Sequence, residues 1–334
     1  MVENRLKTEQ RLAFNCELNF VKQDVRGNLI VSNRFVNEDF SCGAGFSTVL
    51  QWMFTANPQR SQKKTDTYRP KVEHDDSIFH DGPDAICWLG HSTFILRINN
   101  KRLLTDPIAY DLPGVKRLIP FPFKTKDVVN IDYILLSHSH RDHFDRRTFK
   151  EIVKRNPDVK VLCPLRMRPL IQREGARFVT EAAWYQEFKS DESGIRFVFL
   201  PAKHWNRRYM HDTNRELWGA FWIGSQQQSI YFAGDTAYHT HFSDARKFLP
   251  SIKHALLPIG AYKPSFMMKD SHTSPDEAAQ AFRDLGAEKF IPMHFATYDL
   301  SDEPVSEPIN TVHKLLSPGE LLTSDFAAGR VYLL

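Results

Sequence analysis

The chemistry-bearing residues of this chain are concentrated in one short stretch, His138-Ser139-His140-Arg141-Asp142-His143, which holds four side chains able to donate electron pairs to a metal ion. It lies within residues 131–145 and follows directly on the apolar run 133–136. On an extended backbone residues two apart share a face, so His138 and His140 can reach one ion together. Asp142 and His143, beyond the turn, can face a second. Histidines and a carboxylate at this density after a buried strand form the pattern of a metal site rather than of an ordinary polar loop.

Three more donors stand where other apolar runs end. Residues 197–200 lead to His204, residues 231–234 to Asp235, and residues 290–293 to His294. Any one of them alone reads as a hydrogen-bonded structural residue. Together they require a fold that gathers several strand ends on one rim.

The elements that would position them can be read in order. Strands are expected at 86–98, 102–105 and 133–136, then a helix after Asp145, whose carboxylate can cap it and whose Phe149, Ile152 and Val153 keep helical spacing. A strand at 159–163, a helix near 166–174, and strands at 178–179 and 195–200 follow. The second half repeats the logic with strands at 217–223, 229–233 and 255–259. Ser274-Pro275-Asp276-Glu277 then opens a helix with a capping serine, proline in the first turn and glutamate three residues on, and Gly286 ends it. A strand at 289–293, a helix near 309–316 and a strand at 330–333 close the chain. Two strand-rich halves, each with helices, predict an α/β fold of two sheets packed face to face with helices outside.

Residues 1–84 read as an N-terminal extension, packed on or beside a main domain of residues 85–334. Within it Phe46, Val49, Leu50, Met53 and Phe54 make one apolar stripe at helical spacing, ending before Pro58, with Trp52 at its edge. Such a stripe either packs on the main domain or rests on a lipid surface. A net charge of +4 on 334 residues, with Lys and Arg scattered, argues against a nucleic-acid partner. The cysteines, Cys16, Cys42, Cys87 and Cys163, show no Cys-x-x-Cys spacing and read as reduced structural thiols. No apolar run has the ~18 residues of a membrane span, and the first residues lack a signal peptide's apolar core, so the expectation is a cytoplasmic protein with peripheral membrane contact allowed. A homo-oligomer is compatible with the sequence.

The ordered set His138, His140, Asp142, His143, His204, Asp235 and His294 resembles that of the metallo-β-lactamase fold superfamily. More narrowly, the chain resembles the N-acylphosphatidylethanolamine-hydrolysing phospholipases D. The runs that carry this are Trp88-Leu89-Gly90-His91-Ser92-Thr93, Leu104-Thr105-Asp106-Pro107, Leu217-Trp218-Gly219, Phe232-Ala233-Gly234-Asp235-Thr236 and Pro258-Ile259-Gly260-Ala261-Tyr262, with Ser32-Asn33-Arg34-Phe35-Val36-Asn37 in the extension. The related ascorbate-6-phosphate lactonase type shares the donors and the Trp-Leu-Gly-His run.

The resemblance implies a four-layer αββα sandwich with a dinuclear site between the sheets. His138, His140 and His204 would hold one ion, Asp142, His143 and His294 the other, and Asp235 would bridge them. Zinc is the expected ion, and nitrogen and oxygen donors also admit Mn or Fe. Asp142 or Asp235 would orient the attacking water, and His272 in Ser271-His272-Thr273 would contact substrate or leaving group. His91 and Asp106 are expected to support the ligands rather than to join them. Lys263 and the Pro-rich loop 112–123 depart from the family pattern, which leaves the substrate open. The expected reaction is phosphodiester hydrolysis of the phospholipase D type on a phospholipid. The alternatives are a sugar-phosphate lactonase, a nuclease and a metal-binding protein without turnover.

Overall fold

The computed structural model describes residues 10–37 and 46–334, except for the side chains of Phe46, Ser47 and Val49; Cys42 lies outside the described residues. The extension contains more strand than its sequence suggests: β1 (Gln10–Ala13), β2 (Asn19–Phe20), β3 (Asn28–Val31) and β4 (Arg34–Phe35). β1, β3 and β4 pair into a small antiparallel sheet, and β2 leaves it to join a large one. Helices α1 (Phe46–Phe54) and α2 (Arg60–Thr65) follow.

The first large sheet is built from β5 (Ala85–Gly90), β6 (Thr93–Ile98), β7 (Lys101–Thr105), β8 (Tyr133–Leu135), β9 (Lys160–Pro164) and β10 (Phe178–Ala182). Helices α3 (Arg146–Arg155) and α4 (Arg168–Arg173) are interspersed. β5, β6 and β7 run antiparallel, and β7 to β10 run parallel. Side chains alternate across this sheet, and both of its faces are buried. Ala85, Cys87 and Leu89 join Phe149, Ile152 and Ile171 of the outer helices, while Ile86, Trp88, Leu135 and Leu162 join the second sheet.

That sheet contains β11 (Gln186–Glu187), β12 (Arg196–Leu200), β13 (Ala220–Gly224), β14 (Ser229–Phe232), β15 (His254–Pro258) and β16 (Lys289–Met293). Its order is β16-β15-β14-β13-β12-β11-β2, so the extension supplies its last strand. Helices α5 (His241–Phe248), α6 (Ser265–Met268), α7 (Pro275–Leu285) and α8 (Glu307–Leu315) belong to this half, and α5, α7 and α8 bury Phe242, Phe282 and Val312 in the shared core. The final strand, β17 (Val331–Leu333), returns to pair with β5. The expected sandwich of two sheets with helices outside is therefore the observed architecture. Trp88 of the first sheet stacks on Phe295 beyond the second at 5.1 Å, one of the contacts that lock the layers.

Local signals placed two helices well. Asp145 accepts from Thr148 N at the start of α3, and Ser274 and Glu277 form a reciprocal capping box on α7. The expected single strand over 86–98 is two strands joined at Gly90-His91-Ser92. No described helix is long and apolar enough to cross a membrane. Among the cysteines, Cys87 and Cys163 are buried as expected of structural thiols, and Cys16 is exposed.

Candidate metal centre

All the candidate donors lie at one rim because the strands that lead to them end there. His138 follows β8, His204 follows β12, Asp235 follows β14 and His294 follows β16, while His91 sits in the β5–β6 turn at the same rim. β8 stops at Leu135, so the approach of His138 to His140 is set by the loop beyond it rather than by strand alternation. That loop is pinned by its backbone: Ser137 O accepts from Gly219 N, and Ser139 O and Phe144 O both accept from Arg208 Nη1. Two glycines permit the close approach of the second sheet. A Cβ on Gly234, whose φ is +57°, would stand 2.7 Å from Ser137 Cβ, and one on Gly260 would stand 2.2 Å from His294 O.

Two groups of donors result. His138, His140, His204 and Asp235 converge in one, and His91, Asp142, His143 and His294 in the other. In the first, His140 Nδ1 is 2.8 Å from His138 Nε2 and 3.2 Å from His204 Nε2. Asp235 lies between the groups: Oδ2 is 3.1 Å from His143 Nε2 and 3.8 Å from His204 Nε2, and Oδ1 is 3.2 Å from His294 Nε2. Asp142 Oδ2 is 3.6 Å from both His143 Nε2 and His294 Nε2. Donors about 2.0–2.1 Å from a tetrahedral zinc ion lie ~3.3 Å from one another, so these spacings suit shared cations.

The hydrogen bonds behind the rings decide which nitrogens face inward with a lone pair. Ser137 Oγ donates to Asp106 Oδ2 at 2.6 Å, so His138 Nδ1, 2.9 Å from Ser137 Oγ, donates to that hydroxyl oxygen. His143 Nδ1 donates to Asp106 Oδ2 at 2.7 Å, and His204 Nδ1 donates to Ser271 O at 2.9 Å. In each neutral ring the inward Nε2 is left as an acceptor. Lone pairs that converge with a buried carboxylate, and with His143 Nε2, Asp235 Oδ1 and His294 Nε2 lacking hydrogen-bond partners, fit a divalent cation.

The two groups differ electrostatically. Burial, and then the neighbouring imidazoles, hold the pKa values of His138 and His204 well below the ordinary range. His140 is lowered to about 4, chiefly by burial. Burial pushes His143 and His294 the same way, but the facing Asp235 and Asp142 carboxylates outweigh it, raising His143 well above the usual value and His294 to about 9. Asp235 and Asp142 are lowered despite burial by those same imidazoles.

His272, partly exposed and with its pKa lowered by desolvation to about 4, stands at the edge of this cluster with Nδ1 unpartnered and 3.9 Å from Asp235 Oδ2. Trp205 covers His140 edge-on at 4.8 Å. Lys263 does not reach into the site: its ammonium is tied to Glu307 and Gln59. Several supporting groups carry no sequence signal of their own. Ser137, Ser271, Thr297 and Arg208 became visible only through the ring and backbone atoms they contact. In the departing loop, Arg117 bonds Leu89 O, Ile108 O and Ile119 O.

Comparison with known proteins agrees with this architecture. A family profile described as Beta-lactamase superfamily domain matches residues 101–295. The chain is 30% identical over 292 residues to N-acyl-phosphatidylethanolamine-hydrolyzing phospholipase D 1 of Caenorhabditis elegans, covering 82% of each chain. It is 31% identical over 242 residues to the mitochondrial N-acyl-phosphatidylethanolamine-hydrolyzing phospholipase D of Saccharomyces cerevisiae, covering 70% of this chain and 52% of that one, so it spans about half the length of the yeast relative. Among solved structures, the metallo hydrolase Igni18 of Ignicoccus hospitalis shares the fold with a TM-score of 0.59 at 21% identity, over 75% of this chain and 97% of that one. Since the profile spans more than half of the chain and the nematode relative matches most of both lengths, the chain belongs to the metallo-β-lactamase-fold superfamily of metal-dependent hydrolases and is similar within it to the N-acylphosphatidylethanolamine-hydrolysing phospholipases D.

Proposed function

We propose that the chain is a phosphodiesterase of the phospholipase D type acting on N-acylphosphatidylethanolamine-like phospholipids. The bond broken joins phosphorus to the headgroup oxygen. Water's oxygen goes to phosphorus and a proton to the departing alkoxide, giving a phosphatidic acid and an N-acylated alcohol. In this reading His138, His140 and His204 hold one divalent ion, most simply zinc, Asp142, His143 and His294 hold a second, and Asp235 is shared. When bound, two such ions supply a water activated near neutral pH and positive charge for the phosphoryl oxygens.

The side chains have their own tasks. Asp106, directly at His143 and through Ser137 at His138, holds each Nδ1 as a hydrogen-bond donor and so turns Nε2 inward. Asp142, with its side chain one-fifth exposed, is placed to accept a hydrogen bond from an incoming water. His272, neutral at physiological pH, offers a hydrogen bond to the leaving oxygen rather than a full positive charge.

One observation favours a lipid over a soluble substrate. Leu50, Trp52, Met53 and Phe54 of α1 are all exposed, Phe54 to 86%, and α1 lies beside α6, whose Phe266 is also exposed and which leads directly to Ser271 and His272. Trp52 Nε1 donates to Asp302 Oδ2 at 3.3 Å, which ties the helix to the loop that follows β16. An apolar face so placed suits peripheral contact with a bilayer. The similarity to two relatives named for this reaction supports the same choice. The test is product analysis on vesicles of N-acylphosphatidylethanolamine, with phosphatidylcholine vesicles, a soluble aryl phosphodiester and a sugar lactone as comparisons. Phosphatidic acid released fastest from the N-acylated lipid is expected; rapid turnover of the lactone alone would overturn the proposal.

A further inference from the structure

His91 occupies a position that the seven expected donors leave out. It follows Gly90 in the β5–β6 turn with φ +53°, a backbone region that non-glycine residues seldom adopt and that often marks a functional constraint. The turn is held from several sides. His91 N donates to Thr297 Oγ1 at 2.6 Å, and His91 O accepts from Trp88 Nε1 at 2.9 Å and from His294 N at 3.2 Å. A Cβ on Gly90 would stand 2.6 Å from Arg117 Nη2 and 3.1 Å from Thr297 Cγ2, so a side chain there would displace the two groups that hold the turn. The ring itself is buried, lies 4.0 Å from that of His294 between centroids, and brings Nε2 to 3.1 Å from Asp142 Oδ2.

This geometry admits two roles for the imidazole, and hydrogen-bond chemistry separates them. His91 lies close enough to Asp142, His143 and His294 to be counted as a fourth ligand of that group. An ionised carboxylate, however, only accepts hydrogen bonds, and His91 Nε2 is aligned to donate to Asp142 Oδ2 at 3.1 Å. His143 Nε2 and His294 Nε2, similarly close to Asp235, make no hydrogen bond and keep the alignment of ligands. The His91 nitrogen therefore carries the hydrogen and has no lone pair for a metal. We infer that His91 is a positioning residue for one ion only, its ring orienting Asp142 and its carbonyl fixing the backbone of His294. The inference rests on the dinuclear reading above. It predicts an asymmetry: among the described residues the side-chain contacts of His91 run to Asp142, His143, His294 and Tyr298 rather than to His138, His140 or His204, so the two ions should respond differently to its loss. Outer hydrogen-bond partners of metal ligands are commonly worth 10–100-fold in metal affinity.

The experiment is a zinc titration of metal-free protein against a competing chromophoric chelator, using wild type, His91→Gly and His91→Gln. Glycine suits the left-handed backbone and removes the ring. Glutamine keeps a side-chain N–H to offer Asp142. Wild type should take up two ions. His91→Gly should bind the first with unchanged affinity and the second ~10–100-fold more weakly, and His91→Gln should recover most of the difference with an unchanged visible spectrum after cobalt substitution. If His91→Gln loses the second ion as fully as His91→Gly and the cobalt spectrum changes, the ring is a ligand and the inference is overturned. Equal weakening of both ions, with a lower melting temperature of the metal-free variants, would reduce His91 to general support and overturn it as well. A wild type that binds one ion would instead overturn the dinuclear reading itself, an outcome visible before any variant is made.

Discussion

Asp106 and His143 are joined by a 2.7 Å hydrogen bond inside a region from which solvent is fully excluded, and the same carboxylate also takes both the hydroxyl and the amide hydrogen of Ser137. Through Ser137 the influence of Asp106 reaches His138. One acidic side chain therefore sets the tautomers of histidines in both donor groups. Asp106→Ala should leave three buried donors unpaired, each worth about 1–3 kcal/mol, so thermal unfolding of the metal-free variant should fall by several degrees at least. Zinc affinity should fall at both positions, in contrast to the one-sided effect predicted for His91. A variant with unaltered melting and metal content would contradict this role.

Metal uptake should release protons. Burial alone would lower His294, but Asp235 and Asp142 outweigh it and place the group at about 9, with His143 raised too. From an unfolded value of ~6.5 up to 9, the metal-free fold holds a proton at His294 that coordination must displace. Apparent zinc affinity should therefore climb as pH rises towards 9 and then level off. In the metal-free protein the same raised pKa stabilises the fold fully below ~6.5, and that contribution disappears as pH passes through 9. Calorimetry in buffers of different ionisation enthalpy counts the protons; heats independent of buffer would refute the prediction.

Asp235→Asn and His140→Ala should abolish turnover while leaving a folded chain. Asp235 also predicts a readout that needs no substrate. Without its charge, burial should prevail at His294, and the imidazole resonances of the metal-free variant should titrate at lower pH than in wild type. Near wild-type turnover by either variant would show the donor assignment to be wrong.

His272→Ala should reduce turnover by ~10²-fold, the order lost with one hydrogen-bond donor to a developing negative charge. Metal content should stay the same. Its pKa of about 4 means that the ring remains neutral from pH 5 upward, so the residual pH profile should keep the wild-type shape. A change in metal content would move His272 from substrate contact to coordination.

Phe54→Ser tests the apolar face of α1. Because Phe54 is 86% exposed, the substitution should leave the melting temperature within a degree or two. Hydrolysis of vesicle-borne lipid should drop several-fold, whereas a water-soluble phosphodiester should be cleaved at the wild-type rate. Proportional loss on both substrates would sink the lipid-contact reading. The side chains of Phe46 and Val49, the other members of the expected stripe, fall outside the described residues.

What could be read from the sequence was what is encoded locally. The donor run His138, His140, Asp142 and His143, the cap at Asp145 and the box at Ser274 and Glu277 each involve residues a few positions apart. Both caps form, and the four donors reach one rim, though His138 and His140 meet through the loop beyond β8 rather than by strand alternation. The convergence of His204, Asp235 and His294 followed from their shared place at strand ends. The His91 turn was hidden because residues 86–98 are buried on both faces and show no alternation that would break at Gly90. Helix α5 offers only Phe242, Ala245 and Phe248 on a short segment, too few for a periodic signal. β2 was missed because its place depends on backbone pairing with β11, to which the side chains of Asn19 and Phe20 give no clue.

The edges of the two large sheets bear on how this chain folds. β5 is completed only when Val331, Tyr332 and Leu333 arrive to pair with Cys87, Ile86 and Ala85, and β11 only when Asn19 and Phe20 are laid beside Glu187 and Gln186. Each closure joins segments far apart along the chain, and loop-closure entropy makes such pairings slow relative to local ones. A growing polypeptide thus carries an open β5 edge until residues 331–333 have been made, an interval in which rows of unpaired backbone groups can recruit a strand from another molecule. Completing one sheet with a strand so far downstream of its partner leaves a long exposure to misassembly during synthesis.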